Sequence, residues 1–470
     1  MFPAGVNGFF RVSEIALFPA IHSRPAGGVI LIETKRGRGE TQINYRGSLG
    51  ASAFLNRENM LNTQQYGEAL WRAAINDGLD PNEITQIYSY DWNRDANGRP
   101  VLQSVTPREC LNPDCTMRSA DTDWFDELAQ TGLQNDQQIT LTTGTDSFRS
   151  LFSVNYHESQ GTQIHTGVTR ASFRVNTEFD VGNRLTVGEN LSMTFQRLQN
   201  QNHMRAAIIM PPIVPVYADD GMWGGTAMGL GMDDYNNPVR AASVGANNKG
   251  NIGRIIGNVY ANLNLAENLM VRSQIGLNYL SEFHRHVDYT WQEAGGRQDI
   301  NSGVNGRQFH NIQWAWSNTI TYNIDYRSHQ ASIIGGIEME QFMSEGLQGH
   351  RQDIELETFQ YAFLNSATGT QTVNGWGDEF RFFSYFSKVN YSFRNRYLLS
   401  ATIRYDGSSK FGPDNRFGIF PAFSAGWRIS EEDFFKENVS QRVLPYLQLR
   451  ASWGRNGNSN IPTNALTNLY

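Results

Sequence analysis

The sequence predicts an all-β chain, the wall of an antiparallel β-barrel that crosses a membrane, and three observations carry that expectation. Phe383, Tyr385, Ser387, Val389, Tyr391 and Phe393 alternate with Ser384, Phe386, Lys388, Asn390 and Ser392, a period of two with one face mainly apolar. The pattern restarts at Tyr397, Leu399, Ala401, Ile403 and Tyr405, and again at Phe417, Ile419, Phe423, Ala425, Trp427 and Ile429. Each run is about ten residues or longer, where soluble strands usually number about 5 or 6. Finally, close turns alternate with long connections along the chain, the asymmetry of a barrel with short turns at one end and long loops at the other.

Composition agrees once the barrel is considered. Hydrophobic residues make up 39% and mean hydropathy is −0.48, values that ordinarily argue for a soluble protein, and no window approaches the roughly 18 apolar residues of a membrane helix; strands that show lipid only every second side chain also keep such an average. Aromatic residues at 12% and 44 glycines fit many strands with interfacial rings. The net charge of −7, with no basic stripe, argues against nucleic-acid binding. The start, MFPAGVNGFF, lacks the basic, apolar and small-residue succession of a secretion signal. Export is therefore expected to depend on sequence outside this chain.

Taken in order, residues 1–40 read as the end of a preceding domain. Val29 to Ile32 form a short apolar run after Gly27 and Gly28, predicted as a buried strand, and Lys35 to Gly39 as a flexible basic exit. Residues 41–470 read as barrel. Ile43, Tyr45 and Leu49 mark a first strand, followed by a long interruption from Ala53 to Asn135 with a helix around Thr63 to Ile75. Strands follow near 137–145, 150–158, 171–181, 184–195, 254–265, 269–281, 313–326 and 330–341, then the three opening runs and 446–455, about thirteen in all. Close turns are expected after Thr145, Val181, Leu265, Tyr326 and Phe393, with loops of about ten to over fifty residues between them. One connection, Glu431 to Pro445, breaks the alternation and reads as a brief helical turn at its start.

Particular residues sharpen the reading. Glu189 falls among Leu185, Val187, Leu191 and Met193 on the face assigned to lipid, so a bulge near Gly188 is expected to turn it inward. Cys110 and Cys115 sit in a loop rich in Pro, Asn and Asp; a local disulfide is favoured over free thiols, and zinc lacks further ligands nearby. Asp91, Asn93, Asp95, Asn97 and Gly98 resemble a calcium loop without its sixth-position Gly and twelfth-position Glu, and read as a turn. Asp219, Asp220 and Gly221 read the same way, so no metal and no cofactor are assigned. His157, His165, His203, His284, His286 and His310 scatter among strand ends and loops and read as solvated, and neither Ser23 nor Ser408 has a nucleophile motif. No catalytic constellation is therefore expected. Trp223, Trp291 and Trp376 lie in or beside long loops, where indole faces stack on sugar rings or peptide side chains; they are the candidate substrate contacts, with interfacial anchoring or loop packing as the plainer reading.

These residues also carry a resemblance. The run HSRPAGGVILIETKRG from His22 to Gly37, with Arg24, Gly27, Gly28 and Thr34, is similar to the end of the plug domain of SusC/RagA-type TonB-linked outer-membrane transporters. MPPIVPVY from Met210 to Tyr217, followed by Asp219, Asp220, Gly221 and Gly224, continues the likeness. Most specific are RYDGSSKFGPDNR from Arg404, with Asp406, Gly407, Phe411 and Gly412, and FPAFSAGWRISEEDF from Phe420, with Pro421, Gly426, Trp427 and Arg428; Leu447 to Asn458 agrees as well.

The resemblance implies a barrel of roughly 22 strands with a plug inside it, energised by TonB with ExbB/ExbD and closed by a SusD-like surface lipoprotein. It implies import of an oligosaccharide or oligopeptide across the outer membrane of a Bacteroidetes-type bacterium, with no enzymatic step. Against that pattern the chain reads as truncated at both ends, and such a fragment is expected to be inactive, because an open sheet leaves unpaired edges in lipid. A passive porin, a barrel-based enzyme and a soluble β-rich glycan-binding protein are the alternatives.

Overall fold

The computed structural model describes residues 10–11, 33–34, 37, 39–227, 229–439, 442–459 and 461–463. The expected strand at Val29 to Ile32, and Arg24, Gly27 and Gly28 before it, lie outside the described residues.

Thirteen strands form one antiparallel sheet whose spatial order follows the chain. They are β1 (Gln42–Ser52), β2 (Gly132–Gly144), β3 (Phe148–Gln160), β4 (Gly167–Val181), β5 (Leu185–Gln199), β6 (Lys249–Ala266) and β7 (Leu269–Asp288). The sheet continues with β8 (Gly303–Tyr326), β9 (His329–Gln352), β10 (Gln371–Phe393), β11 (Tyr397–Ser408), β12 (Phe417–Arg428) and β13 (Gln448–Gly454). Edge strands β1 and β13 do not pair with each other, so the sheet is a partial, unclosed barrel wall.

Residues opposed across an antiparallel ladder share a face, so register assigns the two sides. Ser332, Asn390, Ser400, Ser424 and Ser452 form one continuous polar row, and the next row is Ile333, Val389, Ala401, Phe423 and Trp453. The polar row faces a hollow of about 1360 Å³ that also runs past Asn323 and Arg450 on the inner side. The apolar row faces outward, where Tyr385, Leu399, Ile403 and Phe423 are each more than half exposed. A large exposed apolar surface is costly in water and ordinary in lipid.

At the lower end the connections are short: residues 145–147, 182–184, 267–268, 327–328 and 394–396, the five close turns expected. At the other end lie 53–131, 161–166, 200–248, 289–302, 353–370 and 409–416. The loop at 161–166 is shorter than expected because β3 and β4 both run further than the alternation showed. The exception between β12 and β13 is built from a 3-10 turn (Ile429–Glu431) and a helix (Asp433–Asn438). Glu432 holds it to the barrel base, accepting from Trp427 Nε1 at 2.9 Å, Tyr397 Oη at 2.7 Å and Arg396 Nη1 at 2.8 Å.

One expectation is overturned. The ladder at Gly188 is regular, with Thr177, Glu189 and Val259 in one row and no shift of register, so no bulge turns Glu189 inward. Gly188 serves a different purpose. Its inward side is filled by the Tyr260 ring, whose hydroxyl donates to Glu178 Oε2 at 2.5 Å, and a Cβ there would overlap that ring. Glu189 remains on the apolar face, four residues above the turn.

The upper loops are not loose. Helix α1 (Thr63–Asn76) starts at an Asn62–Gln65 capping box and buries Thr63, Gly67, Trp71 and Ala74, the spacing of one helix face. It packs on a hairpin of Tyr88–Arg94 with Pro100–Pro107. The loop after β5 joins the same core: Trp71, Ile87, Tyr88, Leu111, Met117, Trp124 and Leu128 of the first loop pack with Ala207, Met210, Ile213, Val214, Val239 and Ala242 of the second. Each large side chain buried there contributes about 1.5–3 kcal/mol of transfer free energy. Met210 to Val214 of the MPPIVPVY stretch are therefore core, and the Pro211 carbonyl accepts a hydrogen bond from Trp124 Nε1 at 3.0 Å. Cys110 and Cys115 form the expected disulfide, bracketing buried Leu111 beside its backbone bond to Met117.

Candidate functional site

Above the apolar stretch the strands continue. β8 and β9 each run 24 residues and β10 runs 23, whereas about 9–11 tilted residues cross a bilayer. The wall therefore stands well clear of the belt, and its inner face there is polar and aromatic. Glu282, Phe309, Gly346 and Trp376 form one inner row; His284, Arg307, Gln348 and Asn374 form the next; His286, Asn305, His350 and Thr372 the one above.

The packed loops meet this wall around a cavity of about 740 Å³. Arg240 on a helix (Pro238–Val244) and Glu293 on the β7–β8 loop form its anchor, 2.8 Å apart and 4% and 0% exposed. Asn237 organises both partners. Its backbone N–H donates to Glu293 Oε1 at 3.1 Å, its Oδ1 caps the helix by accepting from Val239 and Arg240 N–H, and its Nδ2 donates to the carbonyls of Val216 and Gly224. A Cβ at Gly224 would overlap Pro215, so only glycine allows this approach. Burial pulls the Arg240 guanidinium below its ordinary value while Glu293 opposes the shift.

Two of the three sequence-selected tryptophans meet at this anchor. The Trp291 ring lies under the Arg240 guanidinium carbon at 3.6 Å and lines the cavity. Trp223 bridges to Glu293 on one side and stacks on Tyr217 at 4.5 Å on the other, so its indole is engaged in loop packing. Trp376 is not brought to them. It projects from β10 over Gly346 on the inner face of the wall, with the Arg307 guanidinium 5.4 Å from its ring.

The sequence reading missed this cavity's histidines. His203, His284 and His286 read as scattered and solvated, yet all three line it. Burial, and then the charge of Arg240, hold His203 below the ordinary imidazole value; Asp288, 3.0 Å away, raises His286. Only period-two counting carried up from Tyr279 would have placed His284 and His286 on the inward face. No sequence signal joined His203 to them.

The remaining selected residues have structural roles. Asp95 accepts from Asn97 and Arg99 N–H, an Asx turn with Gly98 at φ 77°, and Met222 N–H donates to Asp220 in a second turn. Ser408 accepts from Lys410 N–H in the turn that follows β11. Gly37 lies against the backbone of Thr143 and Ser150, and Thr34 belongs to a two-residue strand, Glu33–Thr34. Asp406 pairs with Arg404 at 2.7 Å, and Arg404 reaches Glu338 at 3.1 Å on the inner face. A side chain at Gly407 would overlap Phe417; Gly412 precedes a 3-10 turn and Phe411 closes the bend before it. Pro421 opposes Ile403, Gly426 leaves room for Leu398 and Gln448, and Arg428 binds Asn395 of the lower turn.

Comparison with known proteins agrees with this architecture. A family profile described as TonB dependent receptor-like, beta-barrel, matches residues 213–468. The TonB-dependent receptor SusC of Bacteroides thetaiotaomicron is 24% identical over 98% of this chain and 44% of its own length; TonB-dependent receptor P26 of Formosa agariphila is 24% identical over 96% and 42%. The chain thus spans less than half the length of these curated relatives. The solved structure of the RagAB peptide transporter shares the fold at a TM-score of 0.74 and 18% identity, over 94% of this chain and 50% of that one. The profile covers more than half of the residues, and the chain belongs to the TonB-dependent receptor β-barrel family.

Proposed function

We propose that this chain is the wall and upper loop assembly of an importer that moves an oligopeptide or oligosaccharide across a bacterial outer membrane. Residues 41–470 are the barrel part of that protein and residues 1–40 the end of its plug. The observation that carries the reading is the two-sided wall: an apolar outer face for lipid, a polar inner face, and a large polar and aromatic cavity held above the belt by Arg240 and Glu293. In the whole protein TonB with ExbB/ExbD supplies the work by pulling on the plug, and a SusD-like lipoprotein closes over the loops. The peptide named in the RagAB structure and the sugar-ring stacking offered by Trp291 and Trp376 define the two cargo classes. Family membership supports transport in place of catalysis.

The test is uptake by the complete protein with and without TonB. Uptake abolished by loss of TonB supports active import, and unchanged uptake favours a passive porin. The 470-residue chain alone, expressed in cells lacking the complete protein, is expected to give no uptake, because β1 and β13 present unpaired edges to lipid. Trp291→Ala and Trp376→Ala should each weaken cargo binding by about 1 kcal/mol or more, while Trp223→Ala should act through loop stability.

A further inference from the structure

The outer face of β7 and β8 above the belt is covered. Residues 353–370, which connect β9 to β10, fold back over the outside of β7 and β8: Val287 and Val304, both outward in the register, are 1% exposed and pack with Ile354, Ala362 and Ala367, with Phe359 against them. Where the lower margin of this loop meets the wall a cavity of about 370 Å³ remains. Arg197, Lys249 and Arg285 line it with Phe283, Phe359 and Phe363 and two asparagines, and no carboxylate lines it.

Register places the three cations on the lipid side. Arg197 opposes Asn251, which opposes Phe283, and Lys249 opposes Arg285. Arg197 is one outward position above Phe195, which is 67% exposed, and Arg285 one above Phe283, which is 49% exposed. The cluster therefore crowns the apolar belt. The Arg285 guanidinium is held between two rings, 4.1 Å from Phe359 and 4.5 Å from Phe363. Its Nε is buried and has no hydrogen-bond partner among the described residues.

Three cations gathered without a carboxylate repel one another unless an anion joins them, and a guanidinium presents a planar fork that matches phosphate oxygens. We propose that this pocket binds the phosphate of a lipid headgroup in the outer leaflet, with the acyl chains lying on the belt beneath it. The proposal rests on the reading that the apolar face meets lipid. A basic pocket directly above a hydrophobic surface selects a phosphorylated lipid over either half of that molecule alone.

The experiment is equilibrium binding to the complete protein carrying this chain, purified in detergent, of three probes: a phosphorylated lipid A, the same glycolipid without phosphate, and inorganic phosphate. Phosphorylated lipid A should bind at least about tenfold more tightly than the dephosphorylated form, the size expected for one or two charge-assisted hydrogen bonds. Arg285→Gln and Lys249→Gln, made singly and together, should remove that preference, whereas Arg381→Gln, on the outer face of β10, should keep it. Equal binding of the two glycolipids, or an unchanged preference in the double variant, overturns the proposal. Inorganic phosphate that competes as well as the lipid overturns the lipid assignment in favour of a free-anion site. Heat-modified gel migration verifies a folded barrel in each variant, and the single variants stand if the double does not fold. Wild-type protein that stays in the aqueous phase without detergent refutes the membrane reading itself, an outcome distinct from membrane-inserted protein that ignores phosphate.

Discussion

The lower and upper parts of the wall are one hydrogen-bonded ladder under two different solvents. Below Phe195 on β5 and Phe283 on β7 the outer face is mostly apolar, and Ile275, Trp316, Met339 and Phe383 stand side by side there. Above the Phe283 row, which Leu347 shares, β9 carries Gln348, Gly349, His350, Arg351 and Gln352, with no dominant apolar face. Backbone pairing is unbroken across the boundary. Alternation in sequence thus reports a lipid on one side and water on the other, and only indirectly a strand.

That difference explains what could be read in advance. All thirteen strands were legible, since each has a stretch in lipid where alternation is enforced. Their upper ends were not: β9 was expected to end at Gln341 and runs to Gln352, because residues wetted on both faces are free of the pattern. The site was less legible still. Trp291 was singled out by its chemistry, but its partner Arg240 lies 51 positions earlier in sequence, and their meeting depends on the core that two separate loops build together. Glu189 shows the opposite failure: a rule against outward charges forecast a bulge, and the regular ladder prevailed.

The sharpest way to separate the two regions is to remove the anchor of the upper one. Arg240→Ala leaves Glu293 charged and fully buried, a loss of about 3–5 kcal/mol. Because the pair belongs to the loops, limited proteolysis within 53–131 and 200–248 should accelerate while heat-resistant gel migration of the complete barrel persists. Loss of the barrel together with the loops would show that the two regions fold as one unit.

A charge placed on the outer face should be read differently at the two levels. Ile275→Arg, in the belt, should destabilise the complete barrel in lipid by about 2–4 kcal/mol, whereas Val373→Arg, outward on β10 in the same row as Arg285, should cost about 0–1 kcal/mol. Equal costs would move the lipid boundary upward. The converse change, Glu189→Leu, should stabilise by about 1–2 kcal/mol, since a carboxylate costs less than a guanidinium and lies in the lower half of the belt. A destabilising result would mean that Glu189 has a partner in the assembled protein.

The smallest expected effect concerns His286 and Asp288, on the part of β7 that stands above the belt. Their contact at 3.0 Å raises the imidazole and lowers the carboxylate. A raised histidine contributes stability in full below the unfolded imidazole value of about 6.5, and loses it as pH rises through the higher folded value. A lowered aspartate contributes above its unfolded value of about 3.9 and loses it as pH falls through the lower folded one. The pair is therefore at full strength between those two unfolded values. Both side chains are more than half exposed, so solvent and salt limit the contribution to about 0.2–1 kcal/mol. Asp288→Asn should lower the unfolding temperature of the upper loops slightly at pH 6, with the deficit shrinking as pH rises through the raised His286 value. A deficit that does not shrink as pH rises would assign Asp288 a packing role in place of a charge contact with His286.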